Sequence, residues 1–497
     1  NAVFEPFEKD LSRFSEMDYL NVEPYIYEQD IPSIQNAVRR GILNYEKIVL
    51  YYLYRIRKYE SNNELFLNGI IDLNPKVLYQ ARNADRQRAT SDTLSVNGIQ
   101  VLLKDNINTE GMPTTAGAYS LMNNEETSNA FIVDRLIENG ALILGKVNLS
   151  EWAYYFCSGC PLGYSAVGGQ TLNPYGRKLF ETGGSSSGSG VSIAANYAVV
   201  AVGTETSGSI LSPSGKNSVV GLKPTIGLLS RTGIVPISST LDTPGPMTKF
   251  VIDNAIMLQA MSGKDDADTA SEGIPENKNY LDGLITASLN GKRFGVMSSL
   301  MKDSVYNSAV KQLERAGATL VVYDAPEVRL NGFRTLLNID MKHDLPDYLK
   351  NHADSDVKIS NIADVIALNV QDTLKRAPYG QGLFEGIVQD STTIEELEVV
   401  KDSLMIAGKR FFAQPLDIEE VDAVLSINNY HAGYAAVAKY PCLTVPMGFS
   451  EDGEPKNLTF IAKPFEEDKL LQLGHAFERI TKARRAPKAY YKEIINN

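Results

Sequence analysis

The residue types that nucleophilic catalysis needs are concentrated in residues 182–215, TGGSSSGSGVSIAANYAVVAVGTETSGSILSPSG. Gly and Ser crowd two stretches, 183–190 and 206–215, and Glu205 is the single charged side chain of the segment. The apolar run between them predicts a short helix leading into a buried strand rather than a flexible linker. Glycine lets the backbone approach closely with its N–H groups exposed, and serine supplies hydroxyls. The segment is therefore suited to holding a nucleophile beside donors that stabilise an oxyanion.

Lys104 is a candidate base at the end of another predicted strand. Residues 99–103 are apolar, and the turn residues Asp105 and Asn106 follow the lysine directly. A lysine in such a place ordinarily reaches for water, but loops at strand ends are also where α/β enzymes carry catalytic groups. If Lys104 is partly buried, its pKa falls and it becomes a competent base.

A nucleophile elbow is the first hypothesis for the serine-rich turn, because residues 184–188 match G-x-S-x-G. That elbow needs an apolar strand immediately before it, whereas the preceding NPYGRKLFETG is typical of a loop. It also needs a histidine. The chain contains four histidines, which are His343, His352, His431 and His475. The local sequence therefore disfavours the elbow.

Two other hypotheses use different chemistry. A phosphate loop around Gly215 and Lys216 fails in its spacing, since residue 210 is Ile and residue 217 is Asn. A serine activated by a neutral lysine, directly or through a second hydroxyl, needs no histidine. Lys104, Ser185 and Ser209 supply the three groups that this third hypothesis requires.

Apolar periodicity places these turns in an alternating α/β core. It predicts helices at 31–40, 45–59, 131–139, 249–261 and 469–482, and strands at 99–103, 141–144, 421–427 and 442–447. From about residue 275 to residue 417 the Gly/Ser motifs vanish and polar helices dominate, one of them with a capping box of Thr392 and Glu395. We expect this segment to be a less constrained insertion that covers part of the site.

Composition limits the classes of function. The 497 residues are 43% hydrophobic and 22% charged, and no window approaches eighteen apolar residues, so we expect a soluble protein without a membrane span. The net charge of -12 argues against nucleic acid as the main partner, and we assign the basic cluster at residues 479–488 to a helix C-terminus.

Because the first residue is Asn1, a removed signal peptide stays compatible with the sequence; the expected location is the cytoplasm or, with such a peptide, outside it. Cys157 and Cys160 form a C-x-x-C without a second pair, which is a weak signal for zinc or redox chemistry.

The chain resembles the amidase signature family of serine hydrolases. The resemblance is carried by LLKDN around Lys104, GGSSSGS around Ser185, GTETSGSI around Ser209 and the following VVGLKPTIGLLSRTGIVPIS. The two serines are 24 residues apart (209 - 185), which is the spacing of that family. Similarity extends from about residue 30 to 260 and weakly from 420 to 487.

The resemblance implies a catalytic triad and a reaction. Ser209 would be the nucleophile, Ser185 on an unusual cis peptide bond would relay its proton, and unprotonated Lys104 would be the final base. The oxyanion hole would consist of the backbone N–H groups of Thr206, Ser207, Gly208 and Ser209. The reaction would be hydrolysis of a carboxamide through an acyl-enzyme, with no metal or cofactor implied.

The resemblance also implies a single domain over residues 1–497, an α/β fold with a large mixed β-sheet sandwiched by α-helices. We expect N-terminal helices at 30–60, the signature core at 90–260, the variable helical region at 275–417 and a return to the core sheet at 420–487. We expect a monomer or a homodimer acting on a small-molecule or peptide amide, with neither nucleic acid nor membrane as a partner.

The sequence departs from the commonest family pattern, G-T-D-x-G-G-S-I-R-x-P. It has Glu205 for Asp, Ser207 for Gly and Leu211 for Arg. The GTET-x-GSI form, together with GGQTLNPY and NLSEWA, is more similar to bacterial peptide amidases, so the preferred substrate is a C-terminally amidated peptide. The alternatives are the glutaminase subunit of a glutamine-dependent tRNA amidotransferase, an amidase for small aryl or alkyl amides, and a non-catalytic binding module.

Several polar residues near the motifs are interpreted as structural. Glu205 is expected to be a buried, hydrogen-bonded carboxylate, and His431 a packed or surface histidine. The ligand-like side chains at 265–268 and 352–356 are assigned to solvated loops, since each group has too few members for a metal site. Ser207 has two open interpretations, contact with substrate or a hydrogen bond within its own turn.

Overall fold

A computed structural model describes residues 2–87, 92–125, 128–275 and 277–491. Within them, eleven strands form one mixed sheet in the order β1-β3-β2-β6-β8-β7-β12-β13-β11-β9-β10, and β4 and β5 form a separate hairpin. The strands are β1 (Ile70–Leu73), β2 (Gln100–Lys104), β3 (Leu142–Val147), β4 (Tyr164–Ser165), β5 (Gly169–Gln170), β6 (Val200–Glu205), β7 (Val220–Lys223), β8 (Thr243–Thr248), β9 (Arg293–Met297), β10 (Thr319–Tyr323), β11 (Ala423–Ile427), β12 (Cys442–Phe449) and β13 (Pro455–Ile461). The predicted mixed sheet is confirmed.

Helices flank this sheet, so the fold class predicted from the sequence is confirmed as well. The helices are α1 (Glu8–Leu11), α2 (Glu16–Val22), α3 (Ile31–Arg39), α4 (Tyr45–Glu60), α5 (Val77–Arg86), α6 (Phe131–Glu138), α7 (Ser187–Ala194), α8 (Leu211–Lys216), α9 (Val251–Met261), α10 (Ser304–Arg315), α11 (Phe333–Asn351), α12 (Ile362–Asn369), α13 (Thr373–Arg376), α14 (Gly382–Gln389), α15 (Ile394–Ala413), α16 (Ala432–Ala438) and α17 (Glu467–Thr481). In the described residues, none of them combines the length and apolar character that crossing a membrane requires.

The centre of the sheet positions the serine-rich segment. Strands β2 and β6 run parallel and pair directly, and every residue of both strands is buried. Strands buried on both faces read as continuous apolar runs, which is why they were recognisable in the sequence. The ends of β2 and β6 therefore lie side by side, and they carry Lys104 and the turn that contains Ser209.

Helix α7 connects the two Gly/Ser turns and lies against β6 and β2. Its small residues allow this close packing, since the Ser189 hydroxyl donates to the Val202 carbonyl at 3.1 Å. A Cβ at Gly188 would stand 2.4 Å from the Asn148 carbonyl oxygen, so only glycine fits there. The close packing of α7 against the two strands therefore requires the small residues Gly and Ser in this segment.

Residues 275–417 contribute to the sheet before they become helical. Strands β9 and β10 and helix α10 lie in the first part, and β9 pairs in parallel with β11. The helices α11 to α15 follow from Phe333 onward. They form a second apolar cluster with the loop around Trp152 and Phe156.

Two local predictions need correction. The capping box joins Thr393 and Glu396, one residue later than the predicted Thr392 and Glu395, because the Thr392 hydroxyl donates to Asp390 at 2.7 Å. The basic cluster does not lie on one helix, since α17 ends at Thr481.

Arg484 does not belong to the helix C-terminus to which the basic cluster was assigned. It lies beyond the end of α17 and donates to both carboxylate oxygens of Glu28, at 2.6 and 3.0 Å. It also donates to the Ser218 carbonyl at 2.6 Å. The C-terminal segment is thus tied to the N-terminal helices and to the core.

Candidate active site

Lys104 and Ser185 are in direct contact in the interior. The Lys104 Nζ lies 2.7 Å from the Ser185 Oγ, and neither side chain is exposed. The amine also contacts Thr204 at the end of β6, with 2.8 Å to Oγ1 and 3.2 Å to the carbonyl oxygen. Asn106 donates from Nδ2 to the same Thr204 hydroxyl at 2.9 Å. Three oxygens therefore fix the position of the amine.

Burial changes the protonation of Lys104. Loss of hydration lowers the pKa of Lys104 to about 7, although the negative charges of Asp242 and Glu205 act in the opposite direction. At neutral pH a large fraction of the amine is therefore uncharged. An uncharged amine has a lone pair that can accept a proton from the neighbouring hydroxyl.

Ser185 is held by its backbone on a sharp turn. The peptide bond between Gly184 and Ser185 is cis, as the resemblance implies. The Ser185 carbonyl accepts hydrogen bonds from the backbone N–H groups of Ser150 at 3.0 Å and Ser187 at 2.8 Å. These bonds leave the Ser185 hydroxyl directed at the lysine.

Ser209 lies on the turn between β6 and α8 and is partly exposed. A hydrogen bond of 3.1 Å from the Ser186 N–H to the Ser209 carbonyl joins this turn to the one that carries Ser185. Within the described part of the chain, the Ser209 hydroxyl makes no hydrogen bond. The structure thus brings the two serine-bearing turns together and leaves the Ser209 hydroxyl accessible.

The backbone N–H groups of residues 206–209 donate to no acceptor in the ranges that the structure describes. Two side chains outside the turn hold it in this shape, because they accept hydrogen bonds from the turn and from the residues that follow it. Glu205 Oε1 accepts from the N–H groups of Ile210 at 2.8 Å and Leu211 at 2.9 Å, and Asp242 accepts from the Thr206 hydroxyl. Gly208 has φ +93°, which side chains rarely allow. The turn therefore presents a set of uncommitted donors next to Ser209.

Glu205 is a buried, hydrogen-bonded carboxylate, so its structural interpretation is confirmed. Thr204 and Asp242 were not singled out from the sequence. Thr204 lies in the GTET segment and Asp242 lies after the quoted motifs, but nothing in their spacing to Lys104 shows that they lie near it. The contact exists only because β6, β8 and β2 are neighbours in the sheet.

In the described residues, none of the histidines hydrogen-bonds to Lys104, Ser185 or Ser209. His431 contacts the Ser426 hydroxyl through Nδ1 at 2.5 Å and stacks on Phe411, and burial lowers its pKa to about 4. The prediction of a packed histidine is confirmed.

The acidic residues of the 265–268 loop are not solvated as predicted, with one exception. Asp265 accepts from the hydroxyls of Ser230 and Thr232, and Asp268 forms a buried ion pair with Arg231 at 2.6 Å. Only Asp266 is exposed. These carboxylates anchor a loop, because burying them requires hydrogen-bonding partners.

Cys157 and Cys160 form a disulfide, so their sulfurs are not available to a metal. Across the described ranges, no three His, Cys, Asp or Glu side chains are grouped so that they could hold a metal ion.

Known proteins match this chain over most of its length. A family model described as Amidase matches residues 47–471. A probable amidase of Arabidopsis thaliana is 36% identical over 480 residues, covering 93% of this chain and 92% of the plant protein. The crystal structure of an amidase family protein from Bacillus anthracis str. Ames has a TM-score of 0.93 at 36% identity and covers 98% of this chain and 97% of its own. The native peptide amidase from Stenotrophomonas maltophilia has a TM-score of 0.88 at 36% identity, with 93% and 99% covered.

Proposed function

The chain belongs to the Amidase family and hydrolyses amides, and from that premise we propose that it removes the amide group from C-terminally amidated peptides. The reaction consumes water and converts the terminal carboxamide into a carboxylic acid with release of ammonia. The observation that carries the chemistry of this proposal is the buried 2.7 Å contact between the Lys104 Nζ and the Ser185 Oγ, and the similarity to a peptide amidase supports the choice of substrate.

The proposed first step moves a proton along three side chains. The Ser209 Oγ attacks the carboxamide carbon while its proton passes to Ser185, and the Ser185 proton passes to the lone pair of Lys104. Positioned general bases contribute roughly 100-fold to 10,000-fold in rate, most effectively when their pKa lies near the working pH. A pKa of about 7 suits Lys104 to this role.

The backbone N–H groups of residues 206–209 stabilise the oxyanion that forms in this step. Removing a single donor of such a site typically costs about 100-fold to 1000-fold in rate. The C–N bond then breaks and ammonia leaves with the proton that Lys104 returns through Ser185. Water, deprotonated by the same path, attacks the ester on Ser209 and releases the acid.

The pH dependence of kcat/KM is expected to have an acid limb. Protonated Lys104 cannot accept a proton, so activity should rise with pH through about 7 and level off above it. The variant Glu205→Gln keeps an oxygen for the N–H groups of residues 210 and 211 but removes a negative charge that raises the pKa of Lys104. The acid limb of this variant should therefore lie at lower pH than that of the wild type. Rate profiles of both proteins from about pH 5 to pH 9 test this, and a limb that moves upward would contradict it.

The substrate preference is supported by the residue at position 211. The commonest family pattern has Arg there, whereas Leu211 is buried in an apolar cluster with Met297 and Phe412. This position therefore supplies no positive charge to pair with a carboxylate in the acyl part of a substrate. An uncharged peptide backbone fits this requirement, as does the similarity to a peptide amidase.

We further propose that the helices from Phe333 onward form a partial cover over the site. Tyr348 on α11 donates to Asn108 at 2.7 Å, and Asn338 on the same helix accepts from Tyr155 at 2.7 Å. Asn108 follows the strand that carries Lys104, and Tyr155 follows the loop that binds Ser185. A cover attached to both loops would limit the entry of water around a bound substrate.

The test is a panel of amides with ammonia as the measured product. We expect amidated peptides to yield ammonia and the free peptide acid, with internal peptide bonds intact. Benzamide and glutamine serve as the comparison substrates, and Ser209→Ala is the control for contaminating activity.

Three other outcomes of the panel would reject the peptide preference, and each of them would indicate a different function. Turnover of benzamide but not of peptide amides would identify an amidase for small amides. Ammonia release from glutamine only in the presence of added amidotransferase subunits would identify a glutaminase subunit. Binding of amides without any turnover would identify a non-catalytic module.

A further inference from the structure

We propose that Asn429 is a specificity-determining residue, which hydrogen-bonds the backbone of a peptide substrate next to the residue that carries the scissile carboxamide. This inference rests on the proposed function, because it assigns a binding group to the same site. Asn429 belongs to none of the sequence motifs and lies 220 residues from Ser209 in the chain (429 - 209). It follows β11 and precedes α16.

The side chain of Asn429 lies directly on the turn with the free N–H groups. A Cβ at Gly208 would stand 3.1 Å from the Asn429 Nδ2 and 3.3 Å from its Cβ. The neighbouring Ser207 faces the start of α16, since its Oγ would lie 3.8 Å from a Cβ at Gly433. The segment after β11 is therefore one wall beside the turn that holds Ser209.

The backbone around Asn429 is fixed, whereas its side chain is available. The Asn429 carbonyl accepts from the Ala432 N–H at 3.1 Å, and the Tyr430 N–H donates to Ile427 at 2.9 Å. The preceding Asn428 is buried and accepts from the Asn457 N–H at 2.8 Å. The Asn429 side chain itself is exposed and makes no hydrogen bond to any residue that the structure describes. The backbone therefore fixes where this side chain starts, and the amide keeps its donor and its acceptor for a ligand.

The chemistry of an amide side chain matches that of a peptide. An asparagine offers an N–H₂ donor and a carbonyl acceptor on one group, and each peptide unit offers the complementary pair. The Ser207 hydroxyl, which also has no hydrogen bond within the described ranges, adds a second polar group on the same side of Gly208. Benzamide has no peptide unit beyond its carboxamide, so it cannot use these groups. The wall therefore distinguishes peptide amides from small amides.

The experiment compares two substrates in the wild type and in Asn429→Leu. The measured quantity is the ratio of kcat/KM for an amidated dipeptide to kcat/KM for benzamide. Loss of one or two neutral hydrogen bonds should lower this ratio about tenfold. Most of the effect should lie in KM of the peptide, because the bond is made equally in the ground state and the transition state. Asn429→Gln keeps the amide group and should recover part of the ratio, and the exposed neighbour Tyr430→Phe is the matched control.

A structural role for Asn429 predicts a different result. If the side chain only supports Gly208, both substrates lose rate together and the ratio stays constant, which would overturn the proposal. A Gln variant with the same ratio as the Leu variant would also count against hydrogen bonding.

A second readout separates this proposal from the proposed function. The peptide acid should inhibit benzamide hydrolysis, and its inhibition constant should rise about tenfold in Asn429→Leu, whether or not the wild type cleaves peptide amides. Failure of the peptide preference is seen in the wild type alone. An inhibition constant that is equal in the two proteins, or absence of inhibition in the wild type, would overturn the role of Asn429.

Discussion

Ser209→Ala is expected to abolish ammonia release, with kcat reduced by roughly 10,000-fold to 1,000,000-fold, the range found when the nucleophile of a serine hydrolase is removed. The expectation rests on an accessible hydroxyl beside four uncommitted N–H groups, in a turn bonded to the one that carries Ser185. Without the hydroxyl no acyl-enzyme can form. The measurement is initial ammonia release from an amidated peptide, combined with mass spectrometry for a trapped acyl group.

The matched control for this variant is Ser214→Ala. Ser214 lies in α8, five residues after Ser209, and its buried hydroxyl makes no hydrogen bond within the described residues. The chemical change is the same, but the Ser214 hydroxyl contributes no hydrogen bond in the described residues, so the control should keep most of the wild-type activity and change the free energy of unfolding by about 1 kcal/mol or less. Equal turnover by Ser209→Ala and the wild type would refute the assignment of the nucleophile.

Lys104→Met is the second substitution with a large expected effect, a loss of about 1000-fold or more in kcat/KM together with loss of the acid limb. Stability should move in the opposite direction. Because the pKa of Lys104 falls from 10.5 to about 7, the folded protein binds fewer protons than the unfolded chain between those pH values. A shift of this size corresponds to about 5 kcal/mol of destabilisation, which declines as pH rises through that interval. The Met variant lacks this cost, so its thermal midpoint near neutral pH should equal or exceed that of the wild type.

Lys146 provides the contrast, since it is also buried and lies on the neighbouring strand β3. Its Nζ pairs with the Asp105 carboxylate at 3.2 Å. Lys146→Met would leave that buried carboxylate unpaired, which typically costs about 3 to 5 kcal/mol. Lys104→Met should therefore lose mainly activity, whereas Lys146→Met should lose mainly stability. A Lys104→Met protein that retains the acid limb would show that another group is the base.

Elements with strong periodicity were predictable from the sequence. The helices α3 and α4 agree with the predicted bounds to within one residue, because their apolar residues recur at helical spacing and Gly41 separates them. Strand β2 was recognisable as an apolar run ending in Lys104. The capping box was misplaced by one residue since Thr392-Thr393 and Glu395-Glu396 offer two equally spaced pairs. Only the contact of Thr392 with Asp390 decides between them.

The site itself was predictable only in part. The residue types indicated Lys104, Ser185 and Ser209 as the three groups of a lysine-activated serine, and the resemblance gave each of them its role. Asp242 precedes β8, which pairs with β6, and Asn429 approaches Gly208 from the segment after β11, so both positions depend on contacts between residues that are far apart in sequence. The carboxylates of Asp265 and Asp268 were misjudged for the same reason, as their partners Ser230 and Arg231 lie more than 30 residues away. Contacts between residues that are distant in sequence leave no local pattern.

The contact between Arg484 and Glu28 joins the segment after α17 to the segment before α3. The guanidinium donates hydrogen bonds to both carboxylate oxygens of Glu28 and to the Ser218 carbonyl, so it connects three parts of the chain. Loss of Arg484 would leave the Glu28 carboxylate with the Asn196 amide and the charge of Lys249, and it would leave the Ser218 carbonyl without this donor.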